Sequence, residues 1–419
     1  MTSYLRKQTL FPALIADAPA PALGMVVVVP ARDEPRLVDS LSALAACSLP
    51  PEAVEVIVIV NGAADDPPDV RDRNRRACEE ALAWAETRQQ PQRRFHILSF
   101  PDLSPKQAGV GLARKIGMDE ACRRLEGAGR PRGVIAGFDA DSRCDPNYLQ
   151  ALSAHFRRHP ETQACSIYFE HPLVGNEFPT AVYHAIAAYE LHLRYFIEAQ
   201  RYAGFPFAHH TIGSSMAVRC DAYQEQGGMN RRKAGEDFYF LHKFTPLGRY
   251  SELTSTRVLP SPRPSHRVPF GTGKAVQEQL AEGGHRRTYA PNTFIELQQF
   301  FGRADKQGAA LAHDWPKCQG SLPPAIAAFL DGINAGRRLK NIARHTASPA
   351  AFRRRFYRWF DAFQIMKFAH FARDHYYPEV PVAEAAAWLL EAKGYPLKGV
   401  RTEKRLLEKY RSLARSFPS

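Results

Sequence analysis

The chain is 419 residues long, and its 56 Lys and Arg outnumber 43 Asp and Glu, giving a formal charge of +13 at neutral pH. That length exceeds the roughly 250–300 residues at which a single hydrophobic core stops growing, so one large domain and a smaller one are expected. A composition 45% hydrophobic and 24% charged excludes a disordered or fibrous chain, and no stretch reaches the ~18 continuous apolar residues of a membrane span.

Residues 1–24 read as a Pro/Ala-rich leader without a signal-peptide layout, because Phe11 to Ile15 is broken by Pro12 and followed by Asp17. The expected location is the cytoplasm or the cytoplasmic face of a membrane. Seven scattered cysteines with no Cys-x-x-Cys pair argue against a disulfide scaffold or a thiolate zinc site. Met25 to Pro30 is a valine-rich run that reads as a buried strand, and Leu37 to Cys47 follows with helical spacing. Glu55 to Val60 is a second strand that stops at the turn pair Asn61-Gly62. A polar helix over Asp69 to Arg88 leads to a third strand, Phe95 to Phe100. A helix over Gln107 to Leu125 leads to a fourth, Gly133 to Phe138, and Pro146 opens the next helix. Strands alternating with helices imply an α/β fold with a mainly parallel, Rossmann-like sheet flanked by helices. From about residue 280 the pattern is helical, basic and aromatic, which predicts a C-terminal helical region.

Ligands of such sheets bind at the carboxyl ends of the strands, which directs attention to Ala31 to Glu34, Asn61 to Asp66 and Asp139 to Asp141. Alternate residues at a strand end point the same way, so Asp139 and Asp141 can converge on one point. A divalent cation would relieve their repulsion, and Mg2+ or Mn2+ takes one or two carboxylates plus substrate phosphates. The plainer alternative is a solvated turn capping the next helix. The segment Arg263 to Lys274 holds His266, Arg267, Gly271, Gly273 and Lys274. It offers a metal-ligating imidazole and cations for phosphate, or else is a glycine-hinged surface loop. In Gly235-Glu236-Asp237-Phe238-Tyr239-Phe240, two carboxylates precede an aromatic run. Burial there would raise a carboxyl pKa toward general-base duty, whereas the plainer role is acidic helix capping. Gly109-Val-Gly111-Leu-Ala-Arg114-Lys115 is not a dinucleotide fingerprint, since Arg114 stands where the third glycine belongs. Glycines and cations on a first helical turn still suit a diphosphate.

In this order, Val-Pro30-Ala-Arg-Asp33-Glu34, Ile-Val-Ile-Val-Asn61, Gly111-Leu-Ala-Arg114, Phe-Asp139-Ala-Asp141-Ser142 and Gly-Glu236-Asp237 resemble family 2 glycosyltransferases of the GT-A fold. The resemblance covers about residues 25–275, leaving 276–419 as the basic helical region. It implies a nucleotide-diphosphate-sugar donor and a Mn2+ or Mg2+ ion held by Asp139 and Asp141, to which the imidazole of His266 in the Arg263–Lys274 segment is added as a candidate ligand. It implies nucleoside contacts from Glu34 and the loop after Asn61, and the expected donor contacts, with the cations read above as phosphate candidates, are Asp33, Glu34, Asn61, Arg114, Lys115, Asp139, Arg267 and Lys274. Asp237 is implied as the base that deprotonates an acceptor hydroxyl, with Glu236 orienting beside it. The Gln-x-x-Arg-Trp signature of processive synthases is absent, which favours single additions. Inverting transfer is expected, and a retaining course stays open. The acceptor, whether glycan, lipid-linked or small molecule, is not specified.

Residues 331–419 hold 18 Lys and Arg against 8 Asp and Glu, so the positive charge belongs to the C-terminal region. Within it, residues 352–371 interleave aromatic and basic side chains at helical spacing. Such a helix can lie on an anionic membrane, hold an anionic acceptor, or turn its aromatic stripe into the protein. A rival in another class is a nucleic-acid-binding protein using this face, although no nucleic-acid module is recognisable and no nucleic-acid partner is expected. A nucleotidyltransferase shares the sheet and metal logic, but Ala31-Arg-Asp-Glu34 lacks the glycine-rich loop that reading calls for.

Overall fold

A computed structural model describes residues 2–265, 271–283, 285–397, 399 and 402–416. Its main sheet has eight strands: β1 (Leu23–Ala31), β2 (Ala53–Ala63), β3 (Arg93–Leu103), β4 (Val134–Gly137), β5 (Arg143–Cys144), β6 (Ala164–Phe169), β7 (Met216–Arg219) and β8 (Tyr250–Leu259). They lie in the order β3-β2-β1-β4-β7-β6-β8-β5. The first four strands are parallel, with Val28 of β1 opposite Ile57 of β2 and Gly137 of β4. Helices Leu37–Ala45, Pro68–Glu86 and Val110–Gly127 make the crossovers. A mainly parallel sheet flanked by helices, followed by a helical C-terminal region, is the architecture the sequence predicts. The other half of the sheet is new: β7 runs antiparallel to β4 and β6, while β6 and β8 pair in parallel.

The chain divides into two compact units. The first comprises Met1–Pro172, Thr211–Lys274 and Ala414–Ser419, and the second Leu173–His210 and Ala275–Leu413. In the first unit, Val26, Val28, Ile57 and Ile59 of the sheet pack on Ile116, Met118 and Leu125 of the helix Val110–Gly127. Residues before β1 join that core. The hydroxyls of Tyr4 and Tyr223 donate to Asp119 Oδ1 at 2.7 and 2.8 Å, and Lys115 Nζ lies 3.0 Å from Oδ2. Glu55 is fully buried in β2, where Arg124 Nη2 donates to it at 2.8 Å and the Ala20 N–H at 2.8 Å. That pairing outweighs the desolvation of the carboxylate and holds its pKa down at about 2.

The second unit is helical apart from a two-stranded ribbon, Arg287–Thr288 with Val380–Pro381. Its longest helix, Thr180–Tyr202, carries the fully buried Glu190, which accepts from Arg194 Nε and Arg411 Nε, each at 2.8 Å. The aromatic stripe of the basic region turns inward. Phe356 and Phe360 pack on Phe300 at centroid distances of 5.5 and 5.3 Å, and Phe368 packs on Phe329 at 5.4 Å. Among the described residues, no helix is long and apolar enough to cross a membrane.

Candidate active site

Because β1, β2 and β4 are parallel, the loops after them emerge on one edge of the sheet, where α/β proteins bind ligands. The turn after β4 is tight: the Ser142 N–H donates to the Asp139 carbonyl at 3.0 Å, and Ser40 Oγ donates to the Ala140 carbonyl at 2.7 Å. Asp139 keeps 36% of its side chain exposed, and Asp141 is half-buried.

Arg114, at the start of the second turn of the helix Val110–Gly127, organises the centre. Its side chain is buried; Nη2 donates to Asp139 Oδ1 and Nη1 to Glu236 Oε1. Gly213 is what allows this, since a Cβ there would run into the guanidinium. Gly111 likewise admits the Arg232 carbonyl, and a Cβ on Gly109 would sit 2.8 Å from Lys233 Cα. The two glycines of this segment therefore serve close backbone packing against residues 232–236.

Gly235 adopts a left-handed φ of +68° and starts the short helix Glu236–Leu241. Glu236 is 2% exposed, and its carbonyl accepts from Asn230 Nδ2 at 2.8 Å. Asp237 is half-buried; its Oδ2 accepts from the Gly213 N–H at 2.9 Å and its Oδ1 from the Phe238 N–H at 2.7 Å. Burial pushes its pKa above the usual aspartate value, and the charge of Asp139 adds to the rise. Arg114 and the two N–H donors oppose it. The arrangement places one guanidinium among three carboxylates, and the pKa of Asp237 is raised.

A second cluster forms at the ends of β1 and β2. Asp33 is held at φ +52°, its N–H donating to Asn74 Oδ1 at 2.7 Å and its carboxylate paired with Arg73. Such a conformation is costly outside glycine and persists where neighbours impose it. Asn74 Nδ2 also reaches the Asn61 carbonyl at 3.5 Å. Asn61 is 1% exposed, and its Nδ2 has no hydrogen-bond partner among the described residues. Glu34 is 2% exposed and paired with Arg263.

The residues singled out from sequence thus fall into distinct places. Arg114 contacts Asp139 and Glu236 directly, and Asp237 follows Glu236 in the chain, within electrostatic reach of Arg114 and Asp139. Asp33, Glu34 and Asn61 line the neighbouring strand ends. Lys115 does not join them, because it is turned toward Asp119 and Tyr4. Lys274 is half-buried on the first turn of the helix Thr272–Glu282, beside Gly273, whose carbonyl accepts from the Ser265 N–H at 3.0 Å. His266 and Arg267 lie outside the described residues. Asn74, Gly213 and Arg263 were not singled out from sequence as site residues. Arg263 opens the Arg263–Lys274 segment, whereas Asn74 and Gly213 carry no local signal.

Asp139 and Asp141 offer hard oxygen donors within reach of solvent, the chemistry that Mg2+ or Mn2+ takes. Among the described residues, no three His, Cys, Asp or Glu converge as a ready-made metal site. A metal here would need substrate oxygens, water or a residue such as His266 to complete its shell.

No protein-family model matches the chain, and no curated protein matches it. Among solved structures it is similar to TarS of S. aureus. TarS 1-349 in complex with UDP-GlcNAc matches at 12% identity and a TM-score of 0.41, over 77% of this chain and 90% of that one. TarS 1-349 in complex with UDP matches at 12% identity and a TM-score of 0.38, over 81% and 92%. A further TarS structure matches at 14% identity and a TM-score of 0.36, and there the match spans only 37% of the TarS chain.

Proposed function

We propose that the first unit is a metal-dependent glycosyltransferase of the GT-A, family 2 kind, which moves a sugar from a nucleotide-diphosphate-sugar to an acceptor hydroxyl. The observation that carries the reading is the single buried arginine that ties Asp139, in the Asp-x-Asp turn, to Glu236, next to a carboxyl whose pKa burial has raised. That arrangement supports a diphosphate-and-metal site held beside a base at the ligand-binding edge of the sheet.

In this reading Asp139 and Asp141, with His266, would hold a Mn2+ or Mg2+ ion, which when bound would supply positive charge to the departing diphosphate. Asp33, Glu34 and Asn61 form the nucleoside end, where the unsatisfied Asn61 amide suits a polar acceptor atom on the ligand. Arg267 and Lys274 would supply positive charge to the diphosphate. Asp237 accepts the proton of the acceptor hydroxyl as its oxygen bonds to the anomeric carbon, and the bond from that carbon to the diphosphate breaks. Inversion follows from this in-line displacement. The two backbone N–H groups on Asp237 fix the direction of its carboxylate, and Glu236 transmits the position of Arg114 to it. Single additions fit a chain without the processive signature.

The test is a comparison of wild type with Asp237→Asn. Sugar transfer or donor hydrolysis should fall by about 10²–10⁴, as for loss of a general base. Binding of the nucleoside diphosphate should be unchanged. Undiminished transfer in the variant would remove Asp237 from the chemistry.

A further inference from the structure

Between Gly332 and Phe360 the sequence holds eight Lys and Arg and no acidic residue. In the second unit these fall on two successive helices, Ala335–Arg344 and Pro349–Trp359, which pack on one another. The first helix buries Ala335, Leu339 and Ile342, and Arg337, Lys340 and Arg344 lie exposed on its opposite side, flanked by Arg338. The second buries Phe352, Phe356 and Tyr357 and exposes Arg354, Arg355 and Arg358. Arg353 has a carboxylate partner, Asp305 at 2.9 Å. The other seven cationic side chains have no acidic partner among the described residues.

Uncompensated like charges on neighbouring helices repel, a cost that natural surfaces relieve with interspersed acids. We propose that this two-helix face is an electrostatic docking surface for a membrane that carries anionic lipid. Two observations favour that partner. The charges lie opposite the buried seams, spread over about 10 Å of the first helix, so they present a broad surface to mobile phosphates. The rings that would insert into an interface or stack on bases are turned inward, as Phe356 and Phe360 show. That removes the stacking platform a single-stranded nucleic acid uses and leaves adsorption by charge alone. The expected contact over 352–371 accordingly moves: its aromatic residues build the core, and the docking chemistry begins a helix earlier.

The test is cosedimentation of the full chain with vesicles of phosphatidylcholine alone or with about 30% phosphatidylglycerol, at low and high salt. Its readout is independent of sugar transfer, so it stands or falls apart from the catalytic reading. Wild type should bind only the anionic vesicles and release at high salt. Each cation at the surface carries about a fivefold change in partitioning (about 1 kcal/mol). The variant Arg337→Ser/Arg344→Ser/Arg354→Ser/Arg358→Ser should therefore bind at least about a hundredfold more weakly, with its urea midpoint unchanged. Equal binding to both vesicles, undiminished binding by the variant, or binding to neither would overturn the proposal. In the last case, capture of polyphosphate or an RNA oligomer by wild type alone would assign the face to a soluble polyanion.

Discussion

Arg114→Met removes the guanidinium while keeping most of its volume. Glu236, 2% exposed, would then sit in the protein with no counter-charge. Breaking a buried pair by removing one partner costs about 3–5 kcal/mol, because the remaining charge stays desolvated. Asp139 suffers less, since its side chain keeps 36% exposure to water. The variant should therefore unfold at a markedly lower urea concentration, followed by tryptophan fluorescence. Adding Glu236→Gln replaces the stranded charge by a neutral amide of the same shape and should recover most of the loss in midpoint. Arg114→Met should also raise the pKa of Asp237 further, since Arg114 is the main influence holding it down. A single variant as stable as wild type, or a double variant no better than the single, would refute the claim that one cation serves both acids.

Three further outcomes follow from the same structure. The acid limb of the transfer rate should lie above the ordinary aspartate value of about 3.9, with activity lost as pH falls through the raised pKa of Asp237; pH–rate profiles of wild type and Asp237→Asn check this, since the limb should vanish in the variant. Glu55, with its pKa held down at about 2 against an ordinary value of 4.5, should contribute about 3 kcal/mol. That contribution is complete above pH 4.5 and is lost as pH falls toward 2, so Glu55→Gln should be less stable at neutral pH and less sensitive to acid in urea titrations. Phe356→Ala opens a cavity among Phe300, Phe301 and Phe360 and should cost the second unit about 3–5 kcal/mol, seen as a lower thermal midpoint.

The parallel half of the sheet was legible because strands buried on both faces read as continuous Val and Ile runs. All eleven residues of β2 are buried. The antiparallel half was not. β7 has four residues, too few to show a period, and β8 mixes buried, half-buried and exposed positions along its length. Asp139 and Asp237 were visible as polar residues ending a strand and opening a helix. What ties Asp139 to Glu236, the neighbour of Asp237, was not, since Arg114 contacts partners 25 and 122 residues away in the chain. Lys115 shows the limit of reading neighbours together: one residue along a helix is ~100° around it, enough to turn its ammonium toward Tyr4 and Asp119 instead. The helix Thr180–Tyr202 carried no mark that it belongs with residues beyond 275, a grouping made by side chains such as Glu190 and Arg411.

The central claim is that the turn after β4 holds a metal–diphosphate site, and thermal unfolding in UDP, GDP, CMP and dTDP, each with Mn2+ or EDTA, tests it most directly. A ligand at about 100 times its dissociation constant should stabilise the fold by ~2.7 kcal/mol, a rise of a few degrees for a protein of this size. One diphosphate should raise the midpoint with Mn2+, and the rise should vanish in EDTA and in Asp139→Ala. No shift with any nucleotide, or an equal shift in Asp139→Ala, would contradict the account.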